Sequence, residues 1–258
     1  MCVLFFAFKK QSEYPLIVAA NRDENYERPT APAHFWEDEP TILAGRDLMQ
    51  MGTWLGVSMD GRFAALTNYR DPKESTGKKV SRGQIIQDYL SSNKDSETFL
   101  HKLKEHRTSY QGFNLVLGNV DALWYYSNIQ DEIKELTPGI YGLSNHFLDT
   151  PWPKVERGKE DLKRCIDTSN SIHKDCLFQL LANRDRAIRN ELPDTGIGLD
   201  WEEKLSSIFI ETDQYGTRSS TVMTVDKHRM VDFTERSLID GEISMAHFTF
   251  NISLEKNK

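Results

Sequence analysis

Two short apolar runs open the chain, residues 3–8 (Val-Leu-Phe-Phe-Ala-Phe) and 15–20 (Pro-Leu-Ile-Val-Ala-Ala), with the polar residues 9–13 between them. Each run is too short for a stable helix and rich in β-formers, so the pair reads as an antiparallel hairpin. A turn over residues 10–13 sets Cys2 beside Asn21 at the open end, with Arg22, Asp23 and Glu24 just beyond. A one-residue slip would turn every side chain to the other face, but the neighbourhood of Cys2 would survive it. The position of this cysteine is chemically special. Removal of the initiator Met would leave a thiol and a free α-amine on one residue, and an α-amine titrates near roughly 7.7–8.0. Such a residue carries its own base. A cation at Arg22 favours thiolate, and a carboxylate at Asp23 can hold the ammonium.

The rest of the chain alternates strand-like and helix-like blocks. Residues 27–44, with three prolines, read as a long loop. Residues 53–58 and 62–68 flank Asp60-Gly61, a two-residue hairpin signal that pairs Thr53 with Asn68 at the open end. Ser81 and Asp95 or Ser96 are caps for two helices with single apolar stripes, through Ile85, Ile86, Tyr89 and Leu90 and through Phe99, Leu100 and Leu103. Strands resume over 113–117, 122–126 and 140–144. Two more helices follow over 154–168 and 174–183, and Asp200 reads as the cap of a short helix over 201–207. Strands over 221–225, 230–233 and 245–250 close the pattern. Runs of strands separated by helix pairs predict an α+β fold in one domain over residues 1–258. Its layers would be a four-layer αββα sandwich of two antiparallel sheets between helices.

Composition narrows the function. A net charge of −7 without a basic block argues against nucleic acid as a partner. No run approaches the ~18 apolar residues of a membrane span. The first apolar run is too short, and lacks the charged lead, for a secretory signal. Three cysteines, Cys2, Cys165 and Cys176, argue against a disulfide framework and for a reducing, cytoplasmic setting, with Cys165 and Cys176 as helix-face core residues. The histidines show no metal-ligand spacing, and no metal or cofactor is expected. Asn183-Arg184-Asp185 repeats part of the first motif at a helix end without a nucleophile and reads as coincidence.

Several motifs follow one another in order along nearly the whole chain: Cys2, Asn21-Arg22-Asp23-Glu24, Gly45-Arg46-Asp47, Gly52-Thr53-Trp54-Leu55-Gly56-Val57, Leu66-Thr67-Asn68, Gly142-Leu143-Ser144-Asn145, Pro151-Trp152-Pro153-Lys154-Val155 and Tyr215-Gly216-Thr217-Arg218-Ser219-Ser220-Thr221-Val222. Together they resemble the NRDE family, also called the transport and Golgi organization protein 2 family. The resemblance implies the fold of N-terminal nucleophile hydrolases, near the choloylglycine hydrolase and penicillin acylase group. It implies Cys2 as nucleophile, Asp23 as holder of the α-amine, Asn68 and Asn145 as oxyanion donors, and Arg218 near the nucleophile. Arg22, Asn21 and Trp54 are the expected substrate contacts. The implied activity is hydrolysis of, or acyl transfer from, a small-molecule linear amide. The alternative is a non-catalytic carrier of haem or an acyl-CoA lipid, with Trp36, Trp54, Trp124 and Trp152 as candidate pocket walls. The family name adds a link to secretion and the Golgi in animals.

Overall fold

The computed structural model describes residues 2–73, 79–167, 172–239 and 241–253. The first hairpin forms from β1 (Cys2–Phe8) and β2 (Leu16–Asn25), but Cys2 faces Arg22 and Val3 faces Asn21. The expected pairing with Asn21 is off by one residue because the turn is longer: the Lys9 amide donates to the Pro15 carbonyl at 2.7 Å.

β1 and β2 are inner strands of a six-stranded sheet. Its order is β10 (Gly139–Leu143), β1, β2, β11 (Tyr215–Val225), β12 (Met230–Ile239), β13 (Glu242–Asn251). A seven-stranded sheet runs in chain order through β3 (Thr30–Phe35), β4 (Ile42–Asp47), β5 (Leu55–Ser58), β6 (Phe63–Asn68), β7 (Phe113–Gly118), β8 (Leu123–Ser127) and β9 (Glu132–Glu135). The pairings given for both sheets are antiparallel.

Residues 27–44 are thus no simple loop. They hold β3 and the start of β4, because β3 is an edge strand whose register shifts between Ala31 and His34, around Pro32. An edge with a bulge is where a residue lacking an N–H is tolerated. The second hairpin has a three-residue turn rather than the two-residue Asp60-Gly61 turn, since the Ser58 amide donates to Arg62 O at 2.9 Å and Gly61 takes φ +84°. Thr53 therefore does not face Asn68, which ends β6 opposite Phe113.

Four layers result. The inner faces of the sheets share one core, including Leu4, Phe6, Val18, Leu55, Phe63, Val116, Met223 and Phe233. α1 (Arg82–Leu90) and α2 (Ser96–Glu105) cover the seven-stranded sheet through Ile86, Tyr89, Leu100 and Leu103. α3 (Pro153–Asp167) and α4 (Lys174–Leu181) cover the six-stranded sheet over Val3, Phe5, Ile17 and Ala19. Asp95 caps α2, its side chain accepting from the Thr98 amide at 2.8 Å. Asp200 does not cap α5 (Leu199–Lys204); Gly198 precedes that helix and Asp200 sits in its first turn. Among the described residues no helix is long and apolar enough to cross a membrane.

The cysteines differ from expectation. Cys165 and Cys176 form a disulfide where α3 meets α4, with Cα atoms 5.8 Å apart, and Cys2 is the free thiol. Both residues do sit on apolar helical faces, and it is the packing of those faces that brings the sulfurs together. With those two paired, the number of cysteines no longer speaks for a reducing compartment.

Candidate functional site

The start of β1, the end of β2, the end of β6 and the start of α1 converge on one cavity of about 400 Å³. Cys2, Arg22, Asp23 and Glu24 come from the six-stranded sheet, Leu66 and Asn68 from the seven-stranded one, and Ser81, Arg82 and Gly83 from the helix start. Strand alternation explains the grouping: Cys2, Leu4 and Phe6 share a face of β1 that packs on the inter-sheet core. The cavity wall is closed where α1 meets the segment before β5. A Cβ on Gly52 would lie 2.5 Å from the Gly83 carbonyl carbon, so only glycine allows that approach.

Arg22 is buried and held from three sides. It donates to Thr30 Oγ1 at 3.2 Å, pairs with Asp47 Oδ2 at 3.7 Å and stacks over the Trp54 ring at 4.4 Å. Asp47 also accepts from Arg28 Nε at 2.6 Å. Asp23 is buried as well. Its Oδ1 accepts from Thr217 Oγ1 at 2.8 Å, and its main-chain carbonyl accepts from the Tyr215 hydroxyl at 3.0 Å. Burial pushes the Asp23 carboxyl up, against Lys154, the Thr217 hydrogen bond and Arg22, which favour the charged form. Burial likewise pushes the Cys2 thiol up; Asp23 adds to the rise and Arg22 opposes it. The expected resting thiolate is therefore not what this environment favours. A thiol held protonated needs a base at the moment of attack.

The remaining sequence candidates separate into those on the cavity and those behind it. Trp54 and Asn68 are on the wall. Asn145 is buried one layer back, with Nδ2 donating to the Asn68 carbonyl at 3.0 Å. Asn21 points into the helix layer, donating to Leu181 O and Ile208 O at 2.9 and 3.0 Å and accepting from Ser220 Oγ at 2.7 Å. Arg218 donates to Asn25 O and Arg28 O at 2.8 and 3.0 Å and borders a separate small crevice shared with Trp54. It braces the chain leaving β2 rather than facing Cys2. Trp36 belongs to the core under α1 and α2. Among the described residues no group of His, Cys, Asp and Glu could hold a metal ion.

Sequence reasoning assigned no role to a second set of charges beneath the site. Arg70 pairs with Glu202 at 2.8 Å, both side chains shielded from solvent, and Glu202 also accepts from the Thr195 amide at 2.7 Å. Lys154 is 2% exposed and donates to the Leu205 carbonyl at 2.8 Å. A signal for it existed: Lys154 stands four and eight residues before Gly158 and Leu162, on the buried stripe of α3.

A family model described as transport and Golgi organisation 2 matches residues 1–240. The chain is 36% identical over 264 residues to the transport and Golgi organization 2 homolog of Mus musculus, covering 95% of each. It is 28% identical over 271 residues to transport and Golgi organization protein 2 of Drosophila melanogaster, covering 92% of each. Among solved structures it is similar to a mutant conjugated bile acid hydrolase from Clostridium perfringens, with a TM-score of 0.55 at 10% identity over 100% of both chains. It is also similar to the Caenorhabditis elegans ortholog of N-acylethanolamine-hydrolyzing acid amidase, with a TM-score of 0.52 at 11% identity over 86% of this chain and 92% of that one. At such identities these two likenesses speak for the fold, the α+β pairing of two antiparallel sheets with helices.

Proposed function

The chain belongs to the transport and Golgi organisation 2 family, and from that premise we propose that it is an N-terminal-cysteine amidohydrolase or acyltransferase for a small-molecule linear amide. The observation that carries this reading is the meeting of Cys2, Asp23 and Asn68 at one cavity. In the mature form Met1 is removed and the Cys2 α-amine takes the thiol proton as Sγ attacks the amide carbonyl carbon. The new C–S bond forms, the carbonyl electrons move to oxygen, and the Asn68 side-chain amide donates to that oxyanion. Collapse breaks the C–N bond, the departing nitrogen takes the proton, and an acyl thioester remains on Cys2. Water or an acceptor amine then releases the acyl group. One oxyanion donor of this kind is worth ~3 kcal/mol in comparable sites. Arg22, locked against Trp54, offers a cation to a polar part of the substrate.

The carrier reading for haem or an acyl-CoA gains less support, because the cavity wall is dominated by charged and polar side chains rather than by an apolar surface. The experiment is a screen of N-acyl amino acids and acyl amides against the processed chain and its Cys2→Ala variant. Turnover lost in the variant with the fold retained is the expected result. Turnover unaffected by the substitution removes Cys2 as nucleophile, and ligand binding without turnover in both forms favours a carrier.

A further inference from the structure

A polar side chain in the apolar layer between two sheets costs stability unless each of its groups is bonded. Asn114 is such a residue. It stands second in β7, on the face that carries Val116 into the inter-sheet core, and it has no exposed surface. Both ends of its amide are used. Nδ2 donates to Thr67 Oγ1 at 3.2 Å and to the His146 carbonyl at 2.9 Å, and Oδ1 accepts from the Tyr125 hydroxyl at 2.8 Å. That hydroxyl in turn accepts from the Leu148 amide at 3.2 Å. Burial pushes Tyr125 up to about 12, so it stays a donor to Asn114 at neutral pH.

These bonds converge on the stretch that follows β10. That strand pairs with β1 up to Leu143 and Leu4, and the chain then leaves the six-stranded sheet through Asn145. Asn145 clasps the chain where it leaves β6: its Nδ2 donates to the Asn68 carbonyl at 3.0 Å, and its own carbonyl accepts from the Arg70 amide at 2.8 Å. Asn114 and Tyr125 hold the residues just after it, at His146 and Leu148, and Asn114 also holds Thr67, the neighbour of Asn68. Cys2 belongs to the six-stranded sheet and Asn68 to the seven-stranded one, so this junction spans the two halves of the site.

We propose that Asn114 is a positioning residue that, with Tyr125, fixes the 145–148 segment against β6 and so sets where the Asn68 side-chain amide stands relative to the Cys2 sulfur. This rests on reading Cys2 as nucleophile and Asn68 as oxyanion donor. Such a donor works because it already stands where charge develops, and a displacement on the order of 1 Å can cost about 10²-fold in rate. Asn114 is not on the cavity wall and acts through Asn68.

The test is a double-mutant cycle on the processed chain, with kcat and KM for N-acyl amino acids and acyl amides measured well below the melting temperature of each variant. Asn114→Leu should lower kcat about 10-fold with KM nearly unchanged, and Tyr125→Phe should act in the same way. In the Asn68→Ala background Asn114→Leu should cost less than about twofold, because the donor that it positions is gone. A tenfold loss that persists in that background, or a wild-type kcat in Asn114→Leu, overturns the inference. Should Asn114→Leu fail to fold, the same cycle run with Tyr125→Phe decides by the same two outcomes. A wild type that turns over none of these amides, or an Asn68→Ala variant as active as wild type, overturns the parent reading and the positioning role with it.

Discussion

Two buried carboxylates in the six-stranded sheet share one physical predicament and resolve it differently. Glu235, on β12, lies in the inter-sheet layer, where Oε1 accepts from the Ala33 amide at 2.7 Å and Ser237 Oγ at 2.9 Å, and Oε2 from Thr221 Oγ1 at 3.2 Å. Asp23, on β2, takes one hydroxyl from Thr217 and lies on the wall of the cavity beside Cys2. Burial raises both above their ordinary range. Glu235 is locked by neutral donors from three strands, the arrangement of a structural tie between sheets. Asp23 is surrounded by charges, Arg22 and Lys154 among them, and opens on a space a ligand can enter. Burial alone does not mark function; the kind of partner and access to a cavity do.

Substitutions can break or sharpen that contrast. Asp23→Asn should reduce kcat/KM on the order of 10³-fold, about 4 kcal/mol of transition-state stabilisation, with the melting temperature little changed. Equal loss of stability and activity would make Asp23 another Glu235. Glu235→Leu should do the reverse and lower unfolding stability by about 3 kcal/mol in urea titrations, because the Ala33 amide and two hydroxyls lose their acceptor, with activity per folded molecule intact. Asn68→Ala should cost about 10²-fold in kcat and leave KM nearly unchanged, as a donor used only in the transition state would.

Legibility in the sequence followed the same divide between local pattern and long-range contact. Strands such as β1 and β7, whose interiors are largely apolar, could be read directly, whereas of β11 only the second half, 221–225, carried a strand signal. β3 could not, since Pro29 and Pro32 look like loop until one knows that they lie at a sheet edge. β9, Glu-Ile-Lys-Glu, has too little apolar character to announce itself. Both hairpin registers slipped by one residue because turn length is set by hydrogen bonds that composition does not show. At the site, the motif around Asn21 was visible, but which of its side chains faces Cys2 depends on that register, and it is Arg22. The Arg70–Glu202 pair joins residues far apart in the chain, and nothing local points to it.

The smallest expected effect concerns pH. Glu235 holds its proton more tightly folded than unfolded, so its contribution favours folding below the ordinary 4.5 and is lost as pH rises through the raised folded value. Glu235→Gln should therefore be slightly more stable than wild type at neutral pH, with the advantage vanishing below pH 4.5. An advantage that grows on acidification would mean that the carboxylate is charged and stabilising in its place.

The central claim is that Cys2 works as an N-terminal nucleophile freed by removal of Met1. Intact-mass spectrometry of the chain from its native cells, before and after brief incubation with an acyl amide and acid quench, tests it most directly. The account predicts a polypeptide that begins at Cys2 and gains one acyl group, mapped to the Cys2 sulfur and absent from Cys2→Ala. A polypeptide that retains Met1 and takes up no acyl group while the amide is still hydrolysed would contradict it.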